Sequence, residues 1–333
     1  HGIMTPFERS LDIYRELLKP VQKPDMLFQV LDSRNPLFFY SQDLFDYCTE
    51  VNPKAKQTII LNKADLLSET QIKEWGEFFN DKKISHIFFS CIESSAQIAA
   101  NIVFSPKNLV EYIKANSSSA QSVASFIGYP NVGKSSTINS ILGASKAAVS
   151  STPGKTKHIQ TFSTPDFCIC DCPGLVFPQV ASSKSDLYLN GILPIDQLRD
   201  YLPPVSLMAE RIPISMLEEE YNIQVKLEHK VSLAESILSS YAKSRGFFTS
   251  NFGNPDMARA ARVILKDYTC GRLLFCYPPP GFNHLEFNNF TPLLRQPIDH
   301  IDLLEVSSNN SPKILSNKKT SSDKKHHKMN KRK

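Results

Sequence analysis

The chain has 333 residues and a mass of 37.5 kDa, with 41% apolar and 21% charged residues, enough for about two globular domains with real cores. Gly is scarce and Pro abundant (12 against 22), and the chain has no long uninterrupted apolar run, so collagen-like, Gly-linker and membrane-spanning-helix readings are excluded. The net charge of +5 averages two unlike parts: residues 313–333 carry nine Lys/Arg and one Asp, and the rest carries 29 cations against 32 anions, so a nearly neutral body bears a basic arm.

In chain order, residues 5–20 (TPFERSLDIYRELLKP) read as a short amphipathic helix within an N-terminal segment, 1–25. Pro24 precedes the first buried strand, MLFQVLD at 26–32, and a turn, SRNPLF, follows it. A helix over 42–51 places Leu44, Tyr47, Cys48 and Val51 on one face. TIIL at 58–61 is the next strand, and Ser68 caps a helix that carries Ile72, Trp75 and Phe79 inward. HIFFS at 86–90 is a third strand, a helix follows at 106–115, and NSSSAQS at 116–122 is a polar linker. VASFIG at 123–128 is a fourth strand, KSSTINSIL opens a helix, and strands around 158–162 and 167–171 complete the set. Strands alternating with helices predict an α/β fold with a doubly wound, mostly parallel sheet over 26–185.

Beyond about residue 190 strand signals vanish, and Pro-punctuated helical periodicity predicts a smaller C-terminal helical domain at 186–282. From 283 to 333 the chain turns polar and then basic, the composition of a disordered tail. A helix at about 255–268 is expected to start from Asn254 as cap, with Pro255 at its first position. Met257, Ala260, Ala261, Ile264 and Tyr268 fall on one side of it, and Arg259, Arg262 and Lys266 on the other. That basic stripe is a solvated face or an RNA-backbone contact; the Lys-rich tail is an RNA contact, a localisation signal or a solubilising end. Seven cysteines without framework spacing, and no leader-like segment after His1, point to a reducing compartment.

GYPNVGKS at 128–135 fits GxxxxGK[ST] between a strand and a helix, the context in which the pattern has a mechanism. The glycines let backbone N–H groups from Asn131, Val132, Gly133 and Ser136 converge on phosphate, and the helix N-terminus adds positive potential. Lys134 would neutralise the β- and γ-phosphates, and Ser135 would bind Mg²⁺. NKAD at 62–65 supplies the complementary base reader: Asp65 would accept from guanine N1–H and N2, which adenine does not offer. The Lys63 stem would lie along the ring and Asn62 would hold neighbouring loops together. Ser90-Cys91, after the next buried strand, stands where GTPases supply a backbone N–H to guanine O6, with an ordinary turn after a strand as the other reading.

DCPG at 171–174 follows a buried strand; Asp171 would reach Mg²⁺ through water, and the Gly174 N–H would touch the γ-phosphate. STPGKT at 151–156 offers Thr156 as a Mg²⁺ ligand, with Thr152 as the fallback. Both loops should order with GTP and relax after hydrolysis. The run Cys168, Cys170, Cys172 has no second Cys/His cluster to complete a zinc site, so these thiols read as packing residues.

The base reader precedes the phosphate loop, the reverse of the Ras-like order. A sheet whose termini lie close together tolerates such permutation. The blocks TPFERSLDIYRELL, VLDSRNPLF, LNKADLL, GYPNVGKSSTIN, TPGKTKHIQTF, CDCPGLVFP, GILPIDQLRDYLPPVSL and LKDYTCGRLLFCYPPPG, spread over about 5–281, resemble the circularly permuted YlqF/YawG-type GTPases of ribosome assembly. The stretch between Ser90-Cys91 and the phosphate loop lacks the extended acidic insertion of larger relatives. The resemblance implies a cytoplasmic GTPase of late 60S maturation, monomeric off the ribosome, bound to rRNA and ribosomal proteins. It also implies that hydrolysis releases a nuclear export adaptor. Alternatives are a nucleotide-gated placeholder and a nucleolar or mitochondrial paralogue. Leu175 stands where Ras-like enzymes carry the water-orienting Gln, so intrinsic turnover should be slow. Asn131 resembles the K⁺ ligand of relatives, with a plain loop-turn residue as the other reading.

Overall fold

A computed structural model describes residues 24–92, 102–117, 119–143, 147, 159–174, 183–227, 230–250 and 253–288, with two short strands at Ile3–Met4 and Val180–Ala181. The N-terminal helix expected at 5–20, Thr152, Thr156, Leu175 and residues 289–333 lie outside the described residues.

The strands are β1 (Ile3–Met4), β2 (Met26–Asp32), β3 (Lys56–Asn62), β4 (His86–Phe89), β5 (Val123–Gly128), β6 (Gln160–Ser163), β7 (Cys168–Asp171) and β8 (Val180–Ala181). Six of them form one sheet in the order β4-β3-β2-β5-β7-β6, and β1 pairs antiparallel with β8. All pairings from β4 to β7 are parallel, and only the edge strand β6 runs antiparallel. Every residue of β2 is buried, as expected of a central parallel strand covered on both faces. The register pairs Asp32 with Asn62 and Val30 with Gly128. The C-terminal ends of β2, β3 and β5 therefore reach one rim of the sheet, where open α/β folds bind their ligands.

The helices on the sheet start where their caps dictate. Ser68 and Gln71 form a capping box for Glu69–Asp81, and Ser105 with Asn108 does the same for Pro106–Asn116. Ser41 caps Gln42–Val51, whose inward face is Leu44, Phe45 and Cys48. Val51, expected on that face, is 39% exposed, because the last turn runs past the edge of the core. Around the sheet a single apolar core forms, with Phe28 stacked on Phe126 at 5.0 Å and Trp75 on Phe79 at 5.6 Å.

A second apolar core gathers the helices Leu202–Arg211, Ile214–Tyr221, Leu233–Ser244 and Met257–Cys270. The helix Lys184–Leu189 serves both, giving Leu187 to the first core and Tyr188 and Leu189 to the second. The expected boundary at 185/186 thus falls inside a helix. A further expectation is corrected. The helix read from about 255 begins at Met257, capped by the Asp256 side chain, which accepts from the Arg259 N–H. Pro255 lies outside it, in a β-bridge with Phe248. Within the segment expected as tail, His284–Phe287 is a helical turn. Asn288, only 6% exposed, donates to the Cys276 carbonyl (2.7 Å) and accepts from the Cys276 N–H (2.8 Å). A polar residue is buried there because it satisfies both backbone groups of a buried extended segment.

Candidate nucleotide site

The phosphate loop is shaped by the strands beside it. Gly128 lies so close to the Val30 carbonyl that any Cβ would collide with it. Gly133 has φ +90 and faces the Asn62 amide, so a side chain there would meet both backbone strain and a clash. From Gly133 the helix Lys134–Leu142 begins, its first turn closed by Thr137, which bonds the Gly133 carbonyl through N–H (2.9 Å) and hydroxyl (3.1 Å). Ser135 and Ser136 are half-buried in that turn. The DCPG turn sits against the loop: a Cβ on Gly174 would be 3.1 Å from the Pro130 nitrogen.

Beneath the loop lies an incompletely satisfied ion pair. Lys134 is 6% exposed and Asp171 fully buried, yet Nζ and Oδ1 are 3.9 Å apart. Neither Asp171 oxygen has a hydrogen-bond partner among the described residues. Burial pushes the Asp171 carboxyl up, against the Lys134 charge and the Ser135 hydroxyl, which pull it down. Burial likewise pushes the Lys134 ammonium down, against Asp171. A buried carboxylate with free lone pairs next to a serine hydroxyl is a hard oxygen set suited to Mg²⁺, and a buried lysine at a helix N-terminus suits a phosphate anion. The residues present fit both groups.

The NKAD turn at 62–65 is fastened to this loop. Asn62 Nδ2 donates to the Val132 carbonyl (2.8 Å), as expected of a residue that holds loops together. Lys63, in the left-handed region (φ 61), sends Nζ to the Asn131 carbonyl (3.1 Å) and to Asp32 Oδ2 (2.8 Å). Asp65 Oδ1 accepts from the Ser90 hydroxyl at 2.6 Å, and the Ser90 oxygen accepts from the Ile92 N–H (3.0 Å). Cys91, half-buried, has its thiol pushed up by burial and set against Ser140 and Thr137 of the phosphate-loop helix. Segments 25 to 70 residues apart in sequence thus meet at one rim. Asn131 has φ 63, and its amide donates to the Gly191 carbonyl (2.9 Å), tying the loop to the start of the helical region. Cys170 and Cys172 are buried among apolar neighbours, and Cys168 is half-exposed.

Two residues escaped the motif reading. Asp32, the last residue of β2, and Arg34 form a buried ion pair (2.7 Å) between the NKAD turn and the helical region. Burial alone would raise the Asp32 carboxyl, but the Arg34 and Lys63 charges hold it well below the usual carboxylate range. The readable signal is a charge ending a mostly apolar strand, level with Asn62.

A mostly parallel sheet with the 128–135 loop and the NKAD turn of 62–65 at one rim, in reversed chain order, has the fold of a circularly permuted P-loop GTPase. The 50S ribosome-binding GTPase family matches residues 123–201. A solved structure of GNP-bound YlqF from T. maritima superposes with a TM-score of 0.52 over 80% of this chain and 95% of that one, at 23% identity. Large subunit GTPase 1 of Schizosaccharomyces pombe is 41% identical over 86% of this chain and 53% of its own length. Its Saccharomyces cerevisiae namesake is 38% identical over 88% and 53%, and the Drosophila melanogaster homolog 36% over 90% and 61%. The chain is similar to these proteins and shares the circularly permuted GTPase fold, and it spans about half the length of the two yeast relatives.

Proposed function

We propose that the chain is the nucleotide-binding core of a GTPase switch acting in maturation of the large (60S) ribosomal subunit. It binds GTP and GDP and hydrolyses GTP to GDP and phosphate. The observation that carries this reading is the pair of bonds from Asn62 and Lys63 to the phosphate-loop carbonyls, which assemble base reader and phosphate loop into one site. Asp65 reads the guanine edge, with its other partner Ser90 fixing its rotamer. Ser90-Cys91 presents backbone N–H groups beside it. Asn131, Val132, Gly133, Ser135 and Ser136 supply the N–H cradle, and Lys134 neutralises phosphate charge. Mg²⁺ would be held by Ser135 and Asp171, with Thr156 as third candidate, and it supplies charge neutralisation at the β/γ-phosphates when bound. Gly174, packed on Pro130, senses the γ-phosphate through its N–H.

Since Leu175 cannot orient a water, turnover is slow until something else stabilises charge. A K⁺ ion near Asn131 and contact with the ribosome are the two candidates. The Asn131 amide donates to Gly191, so K⁺ ligation by its oxygen would also bear on the helical region. GTPase rates measured in K⁺ and in Na⁺ should differ for the wild type and be equal for Asn131→Ala. Partners in this reading are rRNA and ribosomal proteins of the large subunit and a released export adaptor, met in the cytoplasm by a monomer. On the Met257–Cys270 helix, Arg259 lies over the Phe247 ring (4.0 Å) and Lys266 pairs with Asp196 (2.6 Å). Both are surface contacts that a phosphate backbone could displace.

The test is the base reader. GDP should bind far more tightly than ADP, and Asp65→Asn should weaken GDP while gaining xanthosine diphosphate, because the xanthine 2-oxo group accepts the hydrogen bond that asparagine donates. An Asp65→Asn protein that keeps GDP affinity and ignores xanthosine diphosphate would remove the reading.

A further inference from the structure

Asp32 uses both carboxylate oxygens. Oδ1 accepts from the Arg34 backbone N–H (3.1 Å) and Arg34 Nε (3.0 Å), and Oδ2 from Arg34 Nη2 (2.7 Å) and Lys63 Nζ (2.8 Å). The same guanidinium donates Nη1 to the Tyr268 carbonyl (3.1 Å) and Nη2 to the Thr269 carbonyl (2.9 Å). These carbonyls end the helix Met257–Cys270, where the unpaired C=O groups and the helix dipole favour a cation. A second contact runs beside the first. Gly271, the αL residue that closes this helix (φ +95), faces Leu66, which directly follows the base-reading NKAD, and a Cβ there would lie 3.0 Å from Leu66 Cδ1.

We propose that Asp32 is the positioning residue for the base-reading Lys63, and that through Arg34 it joins the guanine site to the C-terminus of the Met257–Cys270 helix. This rests on the guanine reading of residues 62–65. With its ammonium anchored at Asp32 and Asn131, Lys63 presents its stem to the ring in one rotamer, so the entropy of ordering a long side chain is lost on folding and not on binding. A lysine acts on the ring face, whereas Asp65 acts on its edge. Losing Asp32 therefore weakens every base that stacks there by the same factor and leaves edge discrimination alone. Because coupling between two sites is reciprocal, nucleotide that orders Lys63 and Asp32 also steadies the helix end that Arg34 caps.

The experiment titrates the full chain with GDP and inosine diphosphate, and follows hydrogen exchange at 266–271 with and without GDP. Wild-type failure to bind GDP would defeat the guanine reading itself, separately from this inference. With that binding in hand, Asp32→Asn should weaken GDP and inosine diphosphate by one common factor, on the order of tenfold, and abolish GDP-dependent protection at 266–271. Unchanged GDP affinity in a folded Asp32→Asn protein would overturn the positioning role. Should that variant fail to fold, Arg34→Lys keeps a cation for Asp32 but lacks the fork that reaches two carbonyls. GDP-induced protection at 266–271 should be lost in it, and full protection there would overturn the link.

Discussion

At the scale of single residues, the phosphate site contains charges set against their own burial. Asp171 is the clearest case: its carboxyl is pushed up by burial and has no hydrogen-bond partner among the described residues. A raised folded pKa means that ionising this group opposes folding, so its unfavourable term grows as pH rises through the folded pKa. Binding of a cation at Asp171 removes that term. Mg²⁺ should therefore raise the melting temperature of the GDP-bound wild type and have little effect on Asp171→Asn, read by thermal scans with and without chelator. Gly133 makes the opposite point. It sits at φ +90 against the Asn62 amide, so Gly133→Ala should cost more than about 1 kcal/mol in stability. It should also abolish GDP binding by displacing the bond that joins the two halves of the site, which urea titration and calorimetry would show together.

At the scale of elements, local rules predict what they govern and no more. Mostly apolar runs bounded by turns set β2 and β5 to the residue, because strands buried on both faces show no regular polar alternation to confuse their ends. Ser68 was legible as a cap because a side-chain oxygen before an apolar periodicity has few other roles. Ser68→Ala should accordingly cost about 1 kcal/mol, with the chevron or urea midpoint as the measure and nucleotide affinity as the unchanged control. The misreadings have a common origin. Val51 continues the helical spacing but overruns the core, Pro255 imitates a first-turn proline but belongs to a bridge with Phe248, and Asn288 looks like tail until Cys276 is beside it. Each is decided outside the element's own periodicity, by where the core ends, by Phe248 or by Cys276. The site divides in the same way. The motif residues announced themselves, while Asp32 and Arg34 were hidden because their role comes from the register of β2 on β3 and from a helix more than 200 residues away.

At the scale of the whole molecule, two apolar cores share one helix and one buried ion network. The Arg34 backbone carbonyl accepts from the Tyr277 N–H (2.7 Å), and Trp75 Nε1 donates to the Tyr277 carbonyl (3.1 Å), so the chain leaving the helical core is fastened to the sheet. The Asp32 carboxyl lies at the centre of this junction, held far below the usual carboxylate range by Arg34 and Lys63. For a depressed folded pKa, the unfolded chain takes up the proton first. The stabilisation is then complete above the unfolded value, about 3.9, and is lost as pH falls below it toward the folded pKa. The loss should be cooperative across both cores, since protonated Asp32 would release Lys63 and Arg34 together and leave the two helix-end carbonyls without a charged partner. The urea midpoint of the wild type should therefore fall steeply with acidification between about pH 4.5 and 2.5. That slope should be flatter in Asp32→Asn, which has no proton to take up at this position. Near-UV circular dichroism and exchange protection in the Leu233–Ser244 helix should follow the same midpoint, because the junction, and not either core alone, sets the acid limit.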